Sequence, residues 1–158
     1  MATPPNILIV DDQKINVLLL ENLLRKVNAK VFKAYDGLEA LELMGKNDFA
    51  LMIFDVQMPE MDGFELANRV RQFNHLKRIP IIFVSAIFTD NDSIAKGYSF
   101  GAVDYLTKPV NPHILFSKVN TFLELYQQRS HPFAEREELE EEIRRLEQEV
   151  ESLRKQLK

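Results

Sequence analysis

Carboxylate, hydroxyl and ammonium side chains follow directly after short apolar runs of this sequence. Such runs are typical of strands that are covered on both faces of a parallel sheet. The polar residues that follow them are Asp11, Asp12, Asp55, Ser85, Tyr105, Thr107 and Lys108. Ligands of open parallel sheets bind outside the carboxyl ends of the strands. We therefore expect three carboxylates, a hydroxyl and an ammonium to converge on one edge of a sheet.

Three carboxylates at such an edge, from Asp11, Asp12 and Asp55, would repel one another, since each raises the proton affinity of its neighbours. Either some of them are protonated, or a hard cation lies among them. Mg²⁺ prefers oxygen ligands and commonly takes one or two carboxylates plus a phosphate. An aspartate can also act as a covalent nucleophile. A metal ion and Lys108 would then neutralise the charge of a phosphoryl group in transfer.

Each of these residues also has an ordinary structural explanation. An aspartate just after a strand, such as Asp12, often caps the N-terminus of a helix. Ser85 alone would be read as a turn residue, Tyr105 as a half-buried strand aromatic, and Lys108 as a solvated loop charge before Pro109. The functional interpretation depends on the set, because its members follow four separate predicted strands.

The elements that must position these residues alternate between strand and helix. Strands are predicted at 7–10, 30–34, 50–54, 81–84 and 102–106, and helices at 16–27, 37–45, 63–74, 91–100 and 111–128. The predicted buried stripes are Val17, Leu20, Leu24 and Val27 in the first helix, and Leu38, Leu41 and Met44 in the second. Five strand–helix repeats predict an α/β fold with a doubly wound, five-stranded parallel sheet and right-handed crossovers.

Composition sets the broad class of the protein. The chain has 158 residues, of which 46% are hydrophobic and 28% charged, as in one folded domain with an appendage. The net charge of −4 gives no electrostatic case for nucleic-acid binding. The lack of cysteine excludes disulfides and thiolate nucleophiles. No signal peptide or membrane span is evident, so we expect a cytoplasmic protein without direct membrane contact.

Four blocks of this sequence resemble, in order and spacing, the signature of response-regulator receiver domains from two-component signalling. They are Ile9–Asp12, Asp55–Gly63, Val84–Ala86 and Tyr105–Pro109. The resemblance covers residues 6–128. It implies a flavodoxin-like (βα)5 fold and a domain that receives a phosphoryl group from a histidine kinase.

The resemblance also implies the cofactor and the acceptor. Asp55 matches the aspartate that is phosphorylated. Asp11 and Asp12 match the acidic pair that binds Mg²⁺, together with Asp55 and the main-chain carbonyl of Gln57. Gln57 and Ile87 match variable positions that tune the lifetime of the phosphoryl group.

Other matched positions imply a conformational switch. Ser85 matches the hydroxyl residue that reaches the phosphoryl group, and Lys108 matches the lysine that pairs with it. Tyr105 matches the aromatic residue that turns inward on activation. The Lys108–Pro109 bond resembles one that is cis in these proteins, and Gly63 fits the turn into the third helix.

The implied function is a phosphorylation-activated switch rather than a separate enzyme, since the domain catalyses only its own phosphorylation and hydrolysis. A sensor histidine kinase or a phosphotransfer protein would be the partner, and the fifth predicted helix (111–128) would transmit the change. One alternative remains open: a regulatory fragment of a diguanylate cyclase, a cyclic-dinucleotide phosphodiesterase or a hybrid kinase. The complete set of site residues argues against an interaction module that is not phosphorylated. A flavodoxin-like cofactor binder would need a Ser/Thr/Gly-rich phosphate loop after the first strand. The segment 11–14 found there, Asp-Asp-Gln-Lys, would instead repel a phosphate unless a metal intervenes.

A heptad pattern occupies the C-terminal segment, 135–158, beyond a predicted junction at 129–134 that contains Pro132. Apolar residues recur at spacings of 4, 3, 4, 3 and 4, at Leu139, Ile143, Leu146, Val150, Leu153 and Leu157. β-Branched residues at a and leucines at d favour a parallel two-stranded coiled coil. We therefore predict a parallel homodimer through 139–157.

Charges flanking this pattern are mixed. In a parallel pair, Glu149 would face Arg154 of the second copy, whereas Glu142 would face Glu147. A solvated single helix is the alternative, since three heptads are marginal. The segment is typical both of a natural signalling helix ahead of an effector and of a coiled coil grafted by design.

Overall fold

The computed structural model describes residues 3–86, 103–128 and 133–157 of the chain. The strands are β1 (Asn6–Val10), β2 (Lys30–Ala34), β3 (Leu51–Asp55), β4 (Ile81–Ser85) and β5 (Val103–Thr107). The α-helices are α1 (Lys14–Leu23), α2 (Gly37–Met44), α3 (Gly63–Val70), α4 (Pro112–Gln128) and α5 (Phe133–Gln156), and a 3₁₀ turn, Leu24–Lys26, follows α1. The helix predicted at 91–100 and residues 129–132 of the predicted junction lie outside the described residues.

All five strands form one parallel sheet in the order β2-β1-β3-β4-β5. Val10 pairs with Phe54 across β1 and β3, and Asp55 pairs with Val84 across β3 and β4. The order reverses direction between β1 and β3, so the carboxyl ends of these two strands flank the switch point where open sheets bind ligands. The predicted doubly wound parallel fold is confirmed.

The packing of the core explains why the sequences of the strands are continuous apolar runs. Leu8, Val10, Met52 and Phe54 belong to one buried cluster that includes residues of α2 and α3. The alternate strand residues, such as Ile53, are also fully buried, so both faces of the sheet are covered. Residues buried outside that cluster include Val17 and Leu20 of α1 and Leu115, Val119 and Leu123 of α4, as expected for helices on the second face.

The first predicted helical stripe is confirmed, and the second is partly wrong. Val17, Leu20, Leu24 and Val27 are all buried. In α2, however, Leu38 is 65% exposed, and the buried residues are Gly37, Ala40 and Met44. Successive steps of three residues drift around a helix, so Leu38 and Met44 cannot share one face. The small residues at positions 37 and 40 form the buried face instead.

Helix α3 ends earlier than predicted, at Val70 rather than at residue 74. The Arg71 guanidinium donates Nη1 hydrogen bonds to the carbonyl oxygens of Leu76 at 3.3 Å, Lys77 at 2.7 Å and Ile79 at 2.9 Å. Burial lowers the pKa of this guanidinium. Its contacts hold the chain in turns before β4, and the helical period of the sequence gives no sign of them.

Strand β2 lies at an edge of the sheet and carries two exposed lysines. Lys30 Nζ lies 5.0 Å from the centroid of the Phe32 ring, and Lys33 forms an ion pair of 3.1 Å with Glu21.

The chain divides into two compact units, Met1–Glu124 and Leu125–Lys158. In the second, α5 starts two residues before the predicted coiled-coil segment. Ile143, Leu146, Val150, Leu153 and Leu157 are 47% to 87% exposed in the single chain. Arg144 pairs with Glu141 at 2.5 Å. Among the described residues, no helix has the length and apolar character that crossing a membrane requires.

Candidate functional site

Three carboxylates meet at the carboxyl edge of the two central strands. Asp55 is the last residue of β3, and Asp11 follows the end of the adjacent β1. One carboxylate oxygen each from Asp11, Asp12 and Asp55 lies within 4.8 Å of the others. The predicted convergence of the three aspartates is therefore found in the structure.

Lys108 reaches this cluster from the far edge of the sheet. Its Nζ lies 3.4 Å from Asp55 Oδ1 and 3.5 Å from Asp11 Oδ2. Its main-chain N–H donates to the carbonyl oxygen of Ser85 at 2.9 Å, and the Lys108–Pro109 bond is cis, as the resemblance implies. Both carboxylates are almost fully buried, at 2% and 6% exposure, so the ammonium faces them in a medium of low dielectric.

Burial and the neighbouring carboxylate of Asp11 raise the pKa of Asp55 to about 6, although the ammonium of Lys108 and the N–H of Gln57 act in the opposite direction. The carboxylate form of Asp55 is therefore destabilised in the folded protein relative to the unfolded chain. A bound cation would remove this penalty.

The raised pKa of Asp55 predicts how the free energy of unfolding depends on pH when a chelator keeps metal ions away from the protein. The folded state holds the Asp55 proton more tightly than the unfolded chain, whose pKa is near 3.8. The protonated Asp55 side chain therefore contributes to the stability of the fold at low pH, and this contribution is lost as pH rises through about 6. The shift corresponds to a loss of about 3 kcal/mol at most in the free energy of unfolding. Urea unfolding of the wild type and of Asp55→Asn across this range measures it, since the variant lacks the group. Identical pH profiles of the two proteins would contradict the prediction.

The cluster also fits a divalent cation. Within the described residues, Asp12 Oδ1 is a buried side-chain oxygen with no hydrogen-bond partner, a costly arrangement for a carboxylate. Asp12 also contributes one carboxylate oxygen to the group formed with Asp11 and Asp55. An oxygen-only donor set of this kind suits Mg²⁺. Asp12 could therefore help to hold such a cation, and the N-cap residue of α1 is Gln13 rather than Asp12.

The remaining predicted residues surround the cluster. Ser85 is buried at the end of β4, one residue beyond the partner of Asp55 in the sheet. Tyr105 is half-buried in β5, with its ring centroid 5.8 Å from that of Phe83. Gln57 is exposed and donates its main-chain N–H to the Asp55 carboxylate. Ile87 lies outside the described residues.

The loop after Asp55 is fixed by a close approach at Gly63. A Cβ built there would overlap the carbonyl oxygen of Asp55 and lie 3.0 Å from Val56 Cα. The Gly63 N–H donates to the Val56 carbonyl at 3.0 Å, and the Asp62 side chain caps α3 by accepting from Glu65 N–H at 2.8 Å. The start of α3 is thereby tied to the main chain of the candidate acceptor.

Sequence reasoning missed two donors to Asp11. Its Oδ1 accepts from the main-chain N–H of Gln13 at 3.0 Å and from Asn16 Nδ2 at 3.5 Å. A signal was available, because a residue in the first turn of a helix can reach back to the chain that precedes it. The predicted helix began at position 16, which hid this relation.

Comparison with known proteins identifies the family. The model of the response regulator receiver domain matches residues 7–120. The chain is 35% identical to the regulatory protein VanRc of Enterococcus gallinarum over 128 residues, which are 81% of this chain and 54% of that protein. It is 36% identical over 122 residues to the two-component response regulator ORR11 of Oryza sativa, which are 75% of this chain and 82% of that protein. It is also 36% identical over 115 residues to the response regulator PleD of Caulobacter vibrioides, which are 73% of this chain and 25% of that protein.

Solved structures agree. The chemotaxis protein CheY4 of Vibrio cholerae aligns with a TM-score of 0.70 at 32% identity, over 75% of this chain and 98% of that one. The receiver domain of the sensor histidine kinase PA1611 of Pseudomonas aeruginosa, which has a magnesium ion coordinated in its active site cleft, aligns at 0.69 and 25% identity over 77% and 98%. The chain spans about half the length of VanRc and a quarter of PleD. With this fold, this acidic cluster and these relatives, the chain belongs to the response regulator receiver domain family.

Proposed function

We propose that this chain is a phosphorylation-activated signalling switch of the cytoplasm whose acceptor is Asp55. The observation that carries the proposal is the Asp55 carboxylate, buried beside Asp11 and Asp12 with its Oδ1 3.4 Å from the Lys108 ammonium. A nucleophilic oxygen and a fixed cation thus share one pocket. The donor is a phosphohistidine on a sensor kinase or a phosphotransfer protein.

In the proposed reaction, an oxygen of Asp55 attacks the phosphorus atom while the bond between phosphorus and the donor imidazole nitrogen breaks. The electron pair of that bond stays on the imidazole. Asp11, Asp12, Asp55 and the Gln57 carbonyl would hold Mg²⁺, which when bound neutralises charge on the phosphoryl oxygens. Lys108, already placed between two carboxylates, pairs with the same oxygens.

Activation is proposed to follow from the new charge on Asp55. The Ser85 hydroxyl lies on the adjacent strand and can move towards the phosphoryl oxygens, which would open space for Tyr105 to turn inward. Both residues would then shift between two conformations of the domain, and phosphorylation would favour one of them. The surface formed by β5 and α4 would change with them.

Replacing Lys108 by alanine is expected to leave the fold intact and to uncouple this switch. The variant loses the cation that pairs with the phosphoryl group, whereas Lys108 contributes little to the buried core. Wild type and variant are treated with Mg²⁺ and beryllofluoride, a phosphoryl mimic, and Tyr105 and Ser85 are followed by NMR. The wild-type resonances should shift and those of Lys108→Ala should not. A normal response of the variant would remove the role given to Lys108.

We further propose that α5 pairs with α5 of a second copy as a parallel coiled coil. The seam residues Ile143, Leu146, Val150 and Leu153 are about half exposed in one chain and recur at heptad spacing. Covering them would remove apolar surface from water, the main favourable term in helix association. Phosphorylation would then alter the dimer through α4.

The replacement Glu147→Lys tests both the pairing and its direction. In a parallel dimer, residue 147 faces Glu142 of the second copy, so two repulsive pairs become attractive. The dissociation constant should fall about three- to ten-fold. In an antiparallel dimer, residue 147 of one copy would instead face residue 147 of the other. The replacement would exchange a repulsive pair of glutamates for a repulsive pair of lysines. Sedimentation equilibrium measures the constant, with Glu151→Lys on the outer face as a control of equal charge. An unchanged or raised dissociation constant would contradict the parallel arrangement.

A second candidate function is the regulatory segment of a larger protein. The match spans only 25% of PleD and 54% of VanRc, so relatives of this domain carry additional chain. In that case the receiver would control an enzyme such as a diguanylate cyclase, a cyclic-dinucleotide phosphodiesterase or a hybrid kinase. Sequencing the gene beyond codon 158 distinguishes a separate signalling switch from the regulatory segment of a larger protein. An open frame that encodes a catalytic domain would favour this candidate.

A further inference from the structure

The buried carboxylate of Asp11 is held differently on its two oxygens. Oδ1 faces the start of α1, where it accepts from Gln13 N–H at 3.0 Å and from Asn16 Nδ2 at 3.5 Å. Oδ2 lies on the other side, 3.5 Å from Lys108 Nζ, which is itself 3.4 Å from Asp55 Oδ1. The donors on the first oxygen therefore determine which oxygen is left for a cation.

Asn16 does not act as a helix cap. Capping requires a side-chain oxygen that accepts from a main-chain N–H at the start of a helix. The N-cap residue of α1 is Gln13, whose side chain makes no capping bond. Asn16 instead donates from its amide nitrogen, to Asp11 Oδ1 at 3.5 Å and to Gln13 Oε1 at 3.3 Å. Asn16 therefore contacts a carboxylate of the cluster, that of Asp11.

Orientation matters because a carboxyl group rotates easily about its last torsion angle. The main-chain N–H of Gln13 supplies one donor to Oδ1, and Asn16 Nδ2 supplies a second. Partners of this kind orient metal-ligating carboxylates and tune their affinity for the ion. The effect is strengthened here because Asp11 is 2% exposed.

We infer that Asn16 is a positioning residue for the cation site: its amide holds Asp11 Oδ1, so that Oδ2 stays turned towards the oxygens of Asp12 and Asp55. The inference rests on the proposed magnesium-dependent function. It assigns Asn16 an effect on Mg²⁺ affinity and none on the chemical step at saturating Mg²⁺.

The test compares the full chain with Asn16→Ala, with Asn16→Leu, which is closer in size, and with the control Asn22→Ala at an exposed position of the same helix. Isothermal titration calorimetry gives the dissociation constant for Mg²⁺ alone. The initial rate of phosphorylation by acetyl phosphate is measured against Mg²⁺ concentration. Thermal unfolding in EDTA checks that each variant folds, and either Asn16 variant suffices if the other does not.

We expect both Asn16 variants to raise the Mg²⁺ dissociation constant about three- to ten-fold. Their rates at saturating Mg²⁺ should stay within about two-fold of wild type, and Asn22→Ala should match wild type in both measurements. An unchanged dissociation constant in the Asn16 variants, a lower saturating rate, or equal weakening by Asn22→Ala would overturn the inference. Failure of the wild type to bind Mg²⁺ would overturn the proposed function itself.

Discussion

Replacing Asp55 by asparagine is expected to abolish phosphorylation of this protein by acetyl phosphate. The asparagine side chain has nearly the same shape but lacks the carboxylate nucleophile, so no acyl phosphate can form. The pocket itself should survive, because the substitution removes a buried negative charge rather than adding bulk. Intact-protein mass spectrometry, with and without Mg²⁺, measures the loss, which we expect to exceed about a hundred-fold.

The matched control is Asp12→Asn, which neutralises another carboxylate of the same cluster. It retains the acceptor, so it should still be phosphorylated on Asp55 when Mg²⁺ is raised to offset a weakened cation site. Peptide mapping locates the modified residue. Continued labelling of Asp55→Asn at a different side chain would show that the acceptor has been assigned wrongly.

The replacement Gly63→Ala should strongly destabilise the fold. The new Cβ would overlap the Asp55 carbonyl oxygen and approach Val56 Cα at 3.0 Å. Both are main-chain atoms, so relief requires moving the peptide that carries the candidate acceptor. We expect a loss of about 2–3 kcal/mol in the free energy of unfolding, together with slower phosphorylation. Urea unfolding and the acetyl phosphate assay measure the two effects.

Gly37 provides the control, because it opens α2 as Gly63 opens α3, each after an aspartate that caps the helix. A Cβ at Gly37 would meet the side chain of Met61, including its Sδ. That flexible side chain can move aside, and alanine is the better helix former. Gly37→Ala should therefore change stability by less than about 1 kcal/mol. Equal losses in the two variants would show that the contact with Asp55 is not the cause.

The main residues of the site could be predicted from sequence because they lie in the last residues of apolar strands or just beyond them. Parallel pairing brings the carboxyl ends of β1 and β3 side by side, so Asp11 and Asp55 must meet once the topology is known. No comparable rule links Asn16 to Asp11. That contact depends on where the first turn of α1 begins, and helix boundaries are poorly specified by periodicity.

Errors in the predicted helices have a common physical origin. The apolar pattern weights large side chains, yet the buried face of α2 is built on Gly37 and Ala40, while Leu38 is exposed. The end of α3 is set by Arg71, whose guanidinium binds carbonyls five to eight residues ahead. Both effects arise from tertiary packing, which local propensity does not encode.

The two lysines of β2 also bear on solubility. An edge strand presents unpaired N–H and C=O groups that can template pairing with another chain, and its exposed side chains decide how easily a foreign strand approaches. Lys30 and Lys33 place positive charge along that edge, and Lys33 is held there by Glu21. The proposed pairing of α5 with a second copy would bring two open sheet edges to high local concentration. In such a dimer, charge on β2 would discourage the amyloid-like strand addition that this proximity favours.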